Sequence, residues 1–320
     1  MTNAPDTLAG WLNEVERLVA EAGNLREWIA WTNDLPELQL GGKRLRARLL
    51  HAVASGLGVV DDRAAILAAA IEMVHNASLF HDDVIDNAAL RRGQPALHTN
   101  NGARFAIMTG DLCFARAMQL LTRLDNLTVY RRVGKAVVDL AAGQLAESVP
   151  VPPSSRTLDH YNYIVDRKTG SLISLSVGLP GVLAELAPEQ QEQLFQAGIL
   201  LGRAFQIADD MLDLAFDTDQ TGKDVLRDLN EGKLTFPYLL LMEIGTPEQR
   251  QRLLAELGNG DTTLAAPILA LARETDLIAK VSDHLENSLK EVERLFKKIP
   301  EWSDNGEFFQ LCRTIAFRTR

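Results

Sequence analysis

Residues 61–87 read DDRAAILAAAIEMVHNASLFHDDVIDN. Their apolar side chains do not alternate as a strand's would; they recur at three- and four-residue spacing, the period of an α-helix. Asp61 is placed to cap the first turn, because a short acidic side chain can accept the unpaired N–H groups there. The stretch ends on Asp82, Asp83 and Asp86, at i, i+1 and i+4. At about 100° per residue the trio fits in a sector of roughly 100°, its first and third members about 40° apart. The helix thus ends in a dense negative patch, where its own dipole is also negative. Leu79, Phe80, Val84 and Ile85 flank the patch, so the carboxylates belong to a mostly buried helix.

The helical period continues outward in both directions. Helices are expected over Asp6–Trp31, Lys43–Leu57, Asp61–Asn87, Ala103–Leu124, Val129–Ser148, Thr157–Leu183, Pro188–Phe216, Leu234–Ile244, Pro247–Leu257, Leu264–Glu274, Asp276–Ile299 and Asn305–Ala316. Thr157 is a further N-cap, and Pro188 and Pro247 suit a first helical turn. The segments Asn87–Asn101, Pro150–Ser155 and Asp217–Gly232 read as loops, and none reads as a domain linker. The expectation is an all-α fold: one large helical bundle over residues 1–320, with no repeat.

Composition narrows the function. With 320 residues and 46 % apolar side chains, the chain can bury a large core. A formal charge of −10 disfavours nucleic-acid binding. The two cysteines, Cys113 and Cys312, suggest no disulfide framework, which fits a reducing cytoplasmic setting. Met1–Gly10 lacks a signal peptide's basic and apolar regions. The apolar runs around Ala64–Val74 and Leu194–Ile207 are interrupted by polar residues, so they read as core helices rather than membrane spans.

Asp209, Asp210 and Asp213 repeat the i, i+1, i+4 spacing, with Gln206 on the same face. Carboxylates this close repel one another, and a divalent cation relieves them. Mg²⁺ suits such oxygens, with substrate phosphate completing its shell. Cationic residues that could hold phosphate are Lys43 and Arg46 after the Gly41-Gly42 pair, Arg91 and Arg92, Lys168 beside Thr169, Lys223 and Lys233. Taken singly, each could be ordinary surface charge. His75 lies about 20° from Asp82 on the wheel, two turns earlier. His51, His81 and His98 carry no assignment.

Together these segments resemble the trans-isoprenyl diphosphate synthases, or polyprenyl synthetases. The resemblance runs from about Gly41 to Pro237 and rests on Gly-Gly-Lys-Arg-Leu-Arg, His-Asn-Ala-Ser-Leu-Phe-His-Asp-Asp-Val-Ile-Asp with Leu-Arg-Arg-Gly-Gln-Pro, Lys-Thr-Gly, and Phe-Gln-Ile-Ala-Asp-Asp-Met-Leu-Asp with Gly-Lys-Asp and Gly-Lys-Leu-Thr-Phe-Pro. It implies the isoprenoid-synthase fold with a central cavity, usually as a homodimer, and three Mg²⁺ ions per active site. It further implies that Asp82, Asp83, Asp86, Asp209 and Asp213 bind Mg²⁺. Arg91, Lys168, Lys223 and Lys233 would hold an allylic diphosphate. Lys43, Arg46, His75 and Arg92 would hold isopentenyl diphosphate, and Thr169 and Gln206, with Lys168, would line the reacting centre. The sequence departs from the family pattern at Ala47, at Ala141-Ala142-Gly143-Gln144, and at Leu179-Pro180-Gly181, which interrupts a normally smooth helix.

The resemblance implies head-to-tail condensation of isopentenyl diphosphate with an allylic diphosphate. In similar proteins bulky aromatics five and four residues before the first trio stop growth early. Ala77 and Ser78 stand there, implying a product from geranylgeranyl to about octaprenyl. A short-chain farnesyl diphosphate synthase is the first alternative. A class I terpene cyclase would not need the second basic set of Lys43, Arg46 and Arg92. A non-catalytic synthase subunit would have lost a trio or a lysine.

Overall fold

The computed structural model describes residues 7–32, 34–152, 155–213, 233–256, 265–303 and 306–317. Its helices are α1 Leu8–Ala22, α2 Leu45–Gly56, α3 Asp62–Ile85, α4 Leu97–Asn101, α5 Ala103–Leu121, α6 Leu127–Ser148, α7 Leu158–Val165, α8 Ser171–Leu183, α9 Pro188–Asp213, α10 Phe236–Ile244, α11 Pro247–Glu256, α12 Ala265–Glu274, α13 Leu277–Phe296 and α14 Glu307–Ala316. The only strands among the described residues are β1 Leu90–Arg91 and β2 Gln94–Pro95, an antiparallel pair. The all-α reading holds. The expected loop Asp217–Gly232, with Lys223, lies outside the described residues, as do residues 153 and 154 of the loop Pro150–Ser155 and residues 6, 214–216, 257, 264 and 305 of the expected helices.

Several boundaries fall where the sequence placed them. Asp61 accepts the N–H groups of Arg63 and Ala64 at 2.9 and 3.1 Å, and Thr157 accepts that of His160 at 3.2 Å. Three expectations change. The first helix stops at Ala22, where Gly23 closes it and Asn24 accepts the Arg26 N–H at 3.2 Å to start a separate 3₁₀ turn, Leu25–Glu27. The helix expected over Thr157–Leu183 widens into a π-turn at Asp166–Gly170. Pro180, by contrast, does not interrupt α8, which runs through it.

Contacts group the chain into two compact units. One comprises Met1–Val137, Leu175–Phe195 and Pro300–Asn305; the other comprises Val138–Ser174, Gln196–Ile299 and Gly306–Arg320.

In the first unit α3 is the core helix and packs against α1, α2 and α5. Leu67, Ile71 and Met73 are fully buried on it, with Trp11 of α1 and Leu49 and Leu50 of α2. By length and composition α3 could cross a membrane, more than its interrupted apolar run suggested. Yet 78 % of its apolar window is buried inside the protein, which accounts for that apolarity. A side-chain carbon on Gly110 of α5 would lie 3.1 Å from the Ala77 carbonyl and overlap the His81 ring. Glycine there lets α5 approach the aspartate-bearing end of α3.

In the second unit α10 packs against α7, α11 and α13, and α13 also meets α12 and α14. Phe236 lies between Tyr161 and His284, with ring centroids 5.9 and 4.7 Å away. Gly143 of α6 meets the π-turn. A Cβ there would lie 2.8 Å from the Lys168 backbone nitrogen, so only glycine admits the turn this closely. Arg203 of α9 grips Asp166 with two hydrogen bonds of 2.5 and 2.6 Å, fixing the turn's other end.

Candidate active site

The first trio occupies the last turn of α3. Asp82 is half-buried and Asp86, the C-cap, is exposed, whereas Asp83 is only 2 % exposed. Asp83 accepts the Arg91 Nε–H at 2.9 Å on one oxygen and 3.2 Å on the other, and the Arg91 Nη2 also donates to it. Local chain chemistry aims Arg91 this way. Arg92 and Gly93 both take positive φ, 53° and 78°, as a two-residue hairpin turn requires. The expected loop is therefore a small hairpin that folds back beside α3.

The same hairpin carries Arg92 to the segment before α2. Gly42 sits so close to the Arg92 guanidinium that an added Cβ would be 3.0 Å from Nη2. Lys43 is exposed beside it, and α2 begins only at Leu45 because Arg44 adopts a left-handed φ of 49°. Arg44 is buried, hydrogen-bonded to Glu16 at 2.6 Å and paired with buried Glu72 at 3.4 Å. Glu72 also accepts the Ala47 N–H at 3.2 Å, which seats the start of α2 on α3.

Burial, opposed by Glu72, weakens the hold of Arg46 on its proton, and among the described residues its buried Nε finds no hydrogen-bond partner. Burial first, then the charges of Arg44 and Arg91, does the same for Arg92. His75 is pushed well below the ordinary imidazole range, by burial and then by Arg46, Arg92, Arg91 and Arg44. It is neutral at pH 7. Crowded cations around one neutral imidazole are under strain that a bound anion would relieve. Three of the four expected isopentenyl diphosphate residues, Arg46, His75 and Arg92, thus share one electrostatic environment, with Lys43 next to it in the chain.

Asn76, Phe80, Asp83, Arg91 and Arg92 also line a small cavity of about 120 Å³. Of the two chain-length residues, Ala77 is fully buried, whereas Ser78 is half-buried and donates to the His75 carbonyl at 2.8 Å.

The second unit holds a cavity of about 370 Å³, within the size range of small-molecule sites. Lys168 and Thr169 of the π-turn, Gln206 and Asp210 of α9, and Lys233 and Thr235 before α10 line it. Single-turn π segments recur at functional sites because they reorient side chains within a helix. Lys168 pairs with Glu147. Thr169 donates to the Gln206 amide oxygen at 2.9 Å, and the Gln206 amide N–H donates to Asp210 at 3.0 Å. Asp210 also accepts the Tyr161 hydroxyl at 2.6 Å and the Phe236 N–H at 3.2 Å. Burial pushes the Asp210 carboxyl up to about 6, against the pull of those three hydrogen bonds. Asp209 is half-buried; the side chain of Asp213 lies outside the described residues.

Of the expected residues, the cavity therefore gathers Lys168, Thr169, Gln206 and Lys233. Sequence reading passed over Glu147, Arg156, His160 and Tyr161, which also line it. No spacing links these residues to the aspartates, because the tertiary fold alone brings them in.

Among the described residues no three His, Cys, Asp or Glu side chains form a ready-made metal site. Mg²⁺ usually takes one or two protein carboxylates, with water and substrate phosphate supplying the rest. Asp82 and Asp86 offer hard oxygens of this kind on one helix turn.

Comparison with known proteins agrees with this chemistry. Residues 34–271 match the polyprenyl synthetase family profile. The octaprenyl diphosphate synthase of Escherichia coli (strain K12) is 38 % identical over 231 residues, 72 % of this chain and 71 % of that protein. A decaprenyl diphosphate synthase structure from Rhodobacter capsulatus superposes with a TM-score of 0.83 at 27 % identity, covering 98 % of this chain and 97 % of that one. A Caulobacter crescentus CB15 polyprenyl synthase, solved with calcium and isoprenyl diphosphate, gives 0.80 at 26 % identity, covering 97 % and 96 %. With paired aspartate trios, two sets of cations and these relatives, the chain belongs to the polyprenyl synthetase family and has its isoprenoid-synthase fold.

Proposed function

We infer that this protein is a trans-prenyltransferase that joins isopentenyl diphosphate head-to-tail to an allylic diphosphate, giving a medium- to long-chain polyprenyl diphosphate. The observation that carries the reading is the cavity that gathers Lys168, Thr169, Gln206 and Lys233 beside the second aspartate trio. A structural bundle has no need for such a set.

In this proposal Lys43, Arg46 and Arg92 hold the isopentenyl diphosphate, with His75 neutral and able to donate one N–H. Lys168, Lys223 and Lys233 hold the allylic diphosphate and take up negative charge as it departs. Asp82, Asp86, Asp209 and Asp213 would hold Mg²⁺, up to three ions, which supplies further positive charge to the leaving group. Asp83, expected as another ligand, already has both oxygens on Arg91. We assign it to fixing Arg91, which in turn faces the allylic diphosphate. The double bond of isopentenyl diphosphate attacks the allylic carbocation, and the released diphosphate removes the last proton, so no side-chain base is demanded. Water must stay out, or the cation is quenched.

As part of the same proposal, residues 1–320 form one prenyl synthase domain that works as a cytoplasmic homodimer, and the product extends beyond farnesyl to about octaprenyl. The test is incubation with Mg²⁺, isopentenyl diphosphate and a series of allylic primers, with product length read by mass spectrometry. Failure to extend any primer would remove the proposal.

A further inference from the structure

We propose that Asp210 sets the donor–acceptor direction of the Gln206–Thr169 pair, acting as a positioning residue rather than a metal ligand. The inference rests on the reading that Thr169 and Gln206 line the reacting centre.

An amide side chain has a donor end and an acceptor end, and its neighbours decide which way it points. Here the decision begins at α10. The backbone N–H of Phe236 and the hydroxyl of Tyr161 both donate to the Oδ2 of Asp210, at 3.2 and 2.6 Å. Its Oδ1 is left towards Gln206, one helical turn earlier on α9. A carboxylate accepts and cannot donate. Gln206 therefore turns its NH₂ to Asp210, at 3.0 Å, and its oxygen to Thr169. The Thr169 hydroxyl answers by donating to that oxygen at 2.9 Å. Its proton is committed there, so Thr169 has only oxygen lone pairs left to present to the cavity it lines. The direction of a hydroxyl in the cavity is thus written by a buried acid two hydrogen bonds away.

Replacing the acid by its amide reverses this logic. In Asp210→Asn the carbonyl oxygen must serve Phe236 and Tyr161, so the NH₂ faces Gln206. Gln206 then flips, points its own NH₂ at Thr169, and frees the threonine proton. Exchanging the two groups, as Asp210→Asn with Gln206→Glu, restores the order. The amide now at position 210 donates to the carboxylate now at position 206, and that carboxylate accepts from Thr169, with net charge unchanged. Tyr161→Phe is the control for packing, since Phe236 still donates to Asp210 and the direction is kept.

The experiment is neutron diffraction of wild type, Asp210→Asn and the double variant, with steady-state kinetics on all four proteins. The amide at position 206 should flip in Asp210→Asn, and kcat should fall by about tenfold or more while both KM values stay within about twofold. The double variant should regain most of the lost kcat, and Tyr161→Phe should lose clearly less than Asp210→Asn. If Asp210→Asn does not fold, the double variant alone decides, by whether residue 206 accepts from Thr169. An unflipped amide in Asp210→Asn, no recovery in the exchange, or equal kcat losses in Asp210→Asn and Tyr161→Phe would each overturn the inference. A flipped amide in a protein whose wild type condenses no substrate would instead remove the proposed function and leave the direction-setting role standing.

Discussion

The two aspartate trios share one spacing, yet their middle members are buried by different means. Asp83 and Asp210 are 2 % and 4 % exposed, so neither has water to stabilise its charge. Asp83 has a full counter-charge, the two-pronged guanidinium of Arg91. Among the described residues Asp210 is held by dipoles alone: a tyrosine hydroxyl, a glutamine amide and one backbone N–H. Dipoles offset less of the cost of burial, and the Asp210 carboxyl accordingly rises to about 6. In the proposed function the inward aspartate of each trio builds the site and its neighbours would hold metal. The first uses charge to fix a cation, Arg91; the second uses hydrogen bonds to fix a neutral pair.

The broadest test of this division removes the metal. If Asp82, Asp86, Asp209 and Asp213 act through Mg²⁺, excess EDTA should abolish condensation and added Mg²⁺ should restore it. Thermal unfolding should move far less, because the inward aspartates keep their protein partners. Turnover that persists in chelator would break the shared role of the trios.

The next test separates the two kinds of anchor. Arg91→Met leaves Asp83 charged and buried without its partner, which should cost about 3 kcal/mol in urea unfolding, the low end for a broken buried pair because Arg91 is partly exposed. Tyr161→Phe removes one hydrogen bond of three and should cost about 1 kcal/mol. Equal costs would mean that the ion pair adds nothing over the dipoles.

What could be read in advance follows the same line. The i, i+1, i+4 spacing placed Asp82 with Asp86 and Asp209 with Asp213, because helical geometry alone decides which side chains share a face. It could not say that the middle aspartates turn inward, because Arg91 reaches Asp83 through a hairpin and Tyr161 comes from 49 positions away. The helix period of Thr157–Leu183 was legible. The π-turn at Lys168 was not, since it depends on Gly143 of another helix making room.

A smaller effect should distinguish the cation sets. Arg92 belongs with Arg46 and His75, and Lys168 with the cavity of the second unit. Arg92→Ala should raise KM for isopentenyl diphosphate by roughly 10- to 150-fold, as expected for about 1.5–3 kcal/mol from a charged hydrogen bond. Lys168→Ala should instead act on the allylic partner. Steady-state titration of each substrate checks this, and a rise confined to the allylic KM in Arg92→Ala would reverse the assignment.

The smallest expected effect on turnover, and the most informative about product, concerns Ala77 and Ser78. Both are small, and two reasons for smallness compete: room for a growing chain, and close helix packing. The structure separates them. Ala77 is fully buried beside the close approach of Gly110, so a larger side chain there must push α5 away from α3. Ala77→Phe should therefore destabilise the protein by about 1–3 kcal/mol, the usual cost of overpacking. Ser78 is half-buried, and substitution removes its hydrogen bond to the His75 carbonyl, one turn earlier on the same helix. Ser78→Phe should fold, keep both diphosphate sites, and shorten the product if the growing tail runs from the aspartates towards the start of α3. Mass spectrometry of the products, alongside urea unfolding of both variants, decides the matter. A folded and active Ser78→Phe enzyme with an unchanged product distribution would show that the tail takes another path.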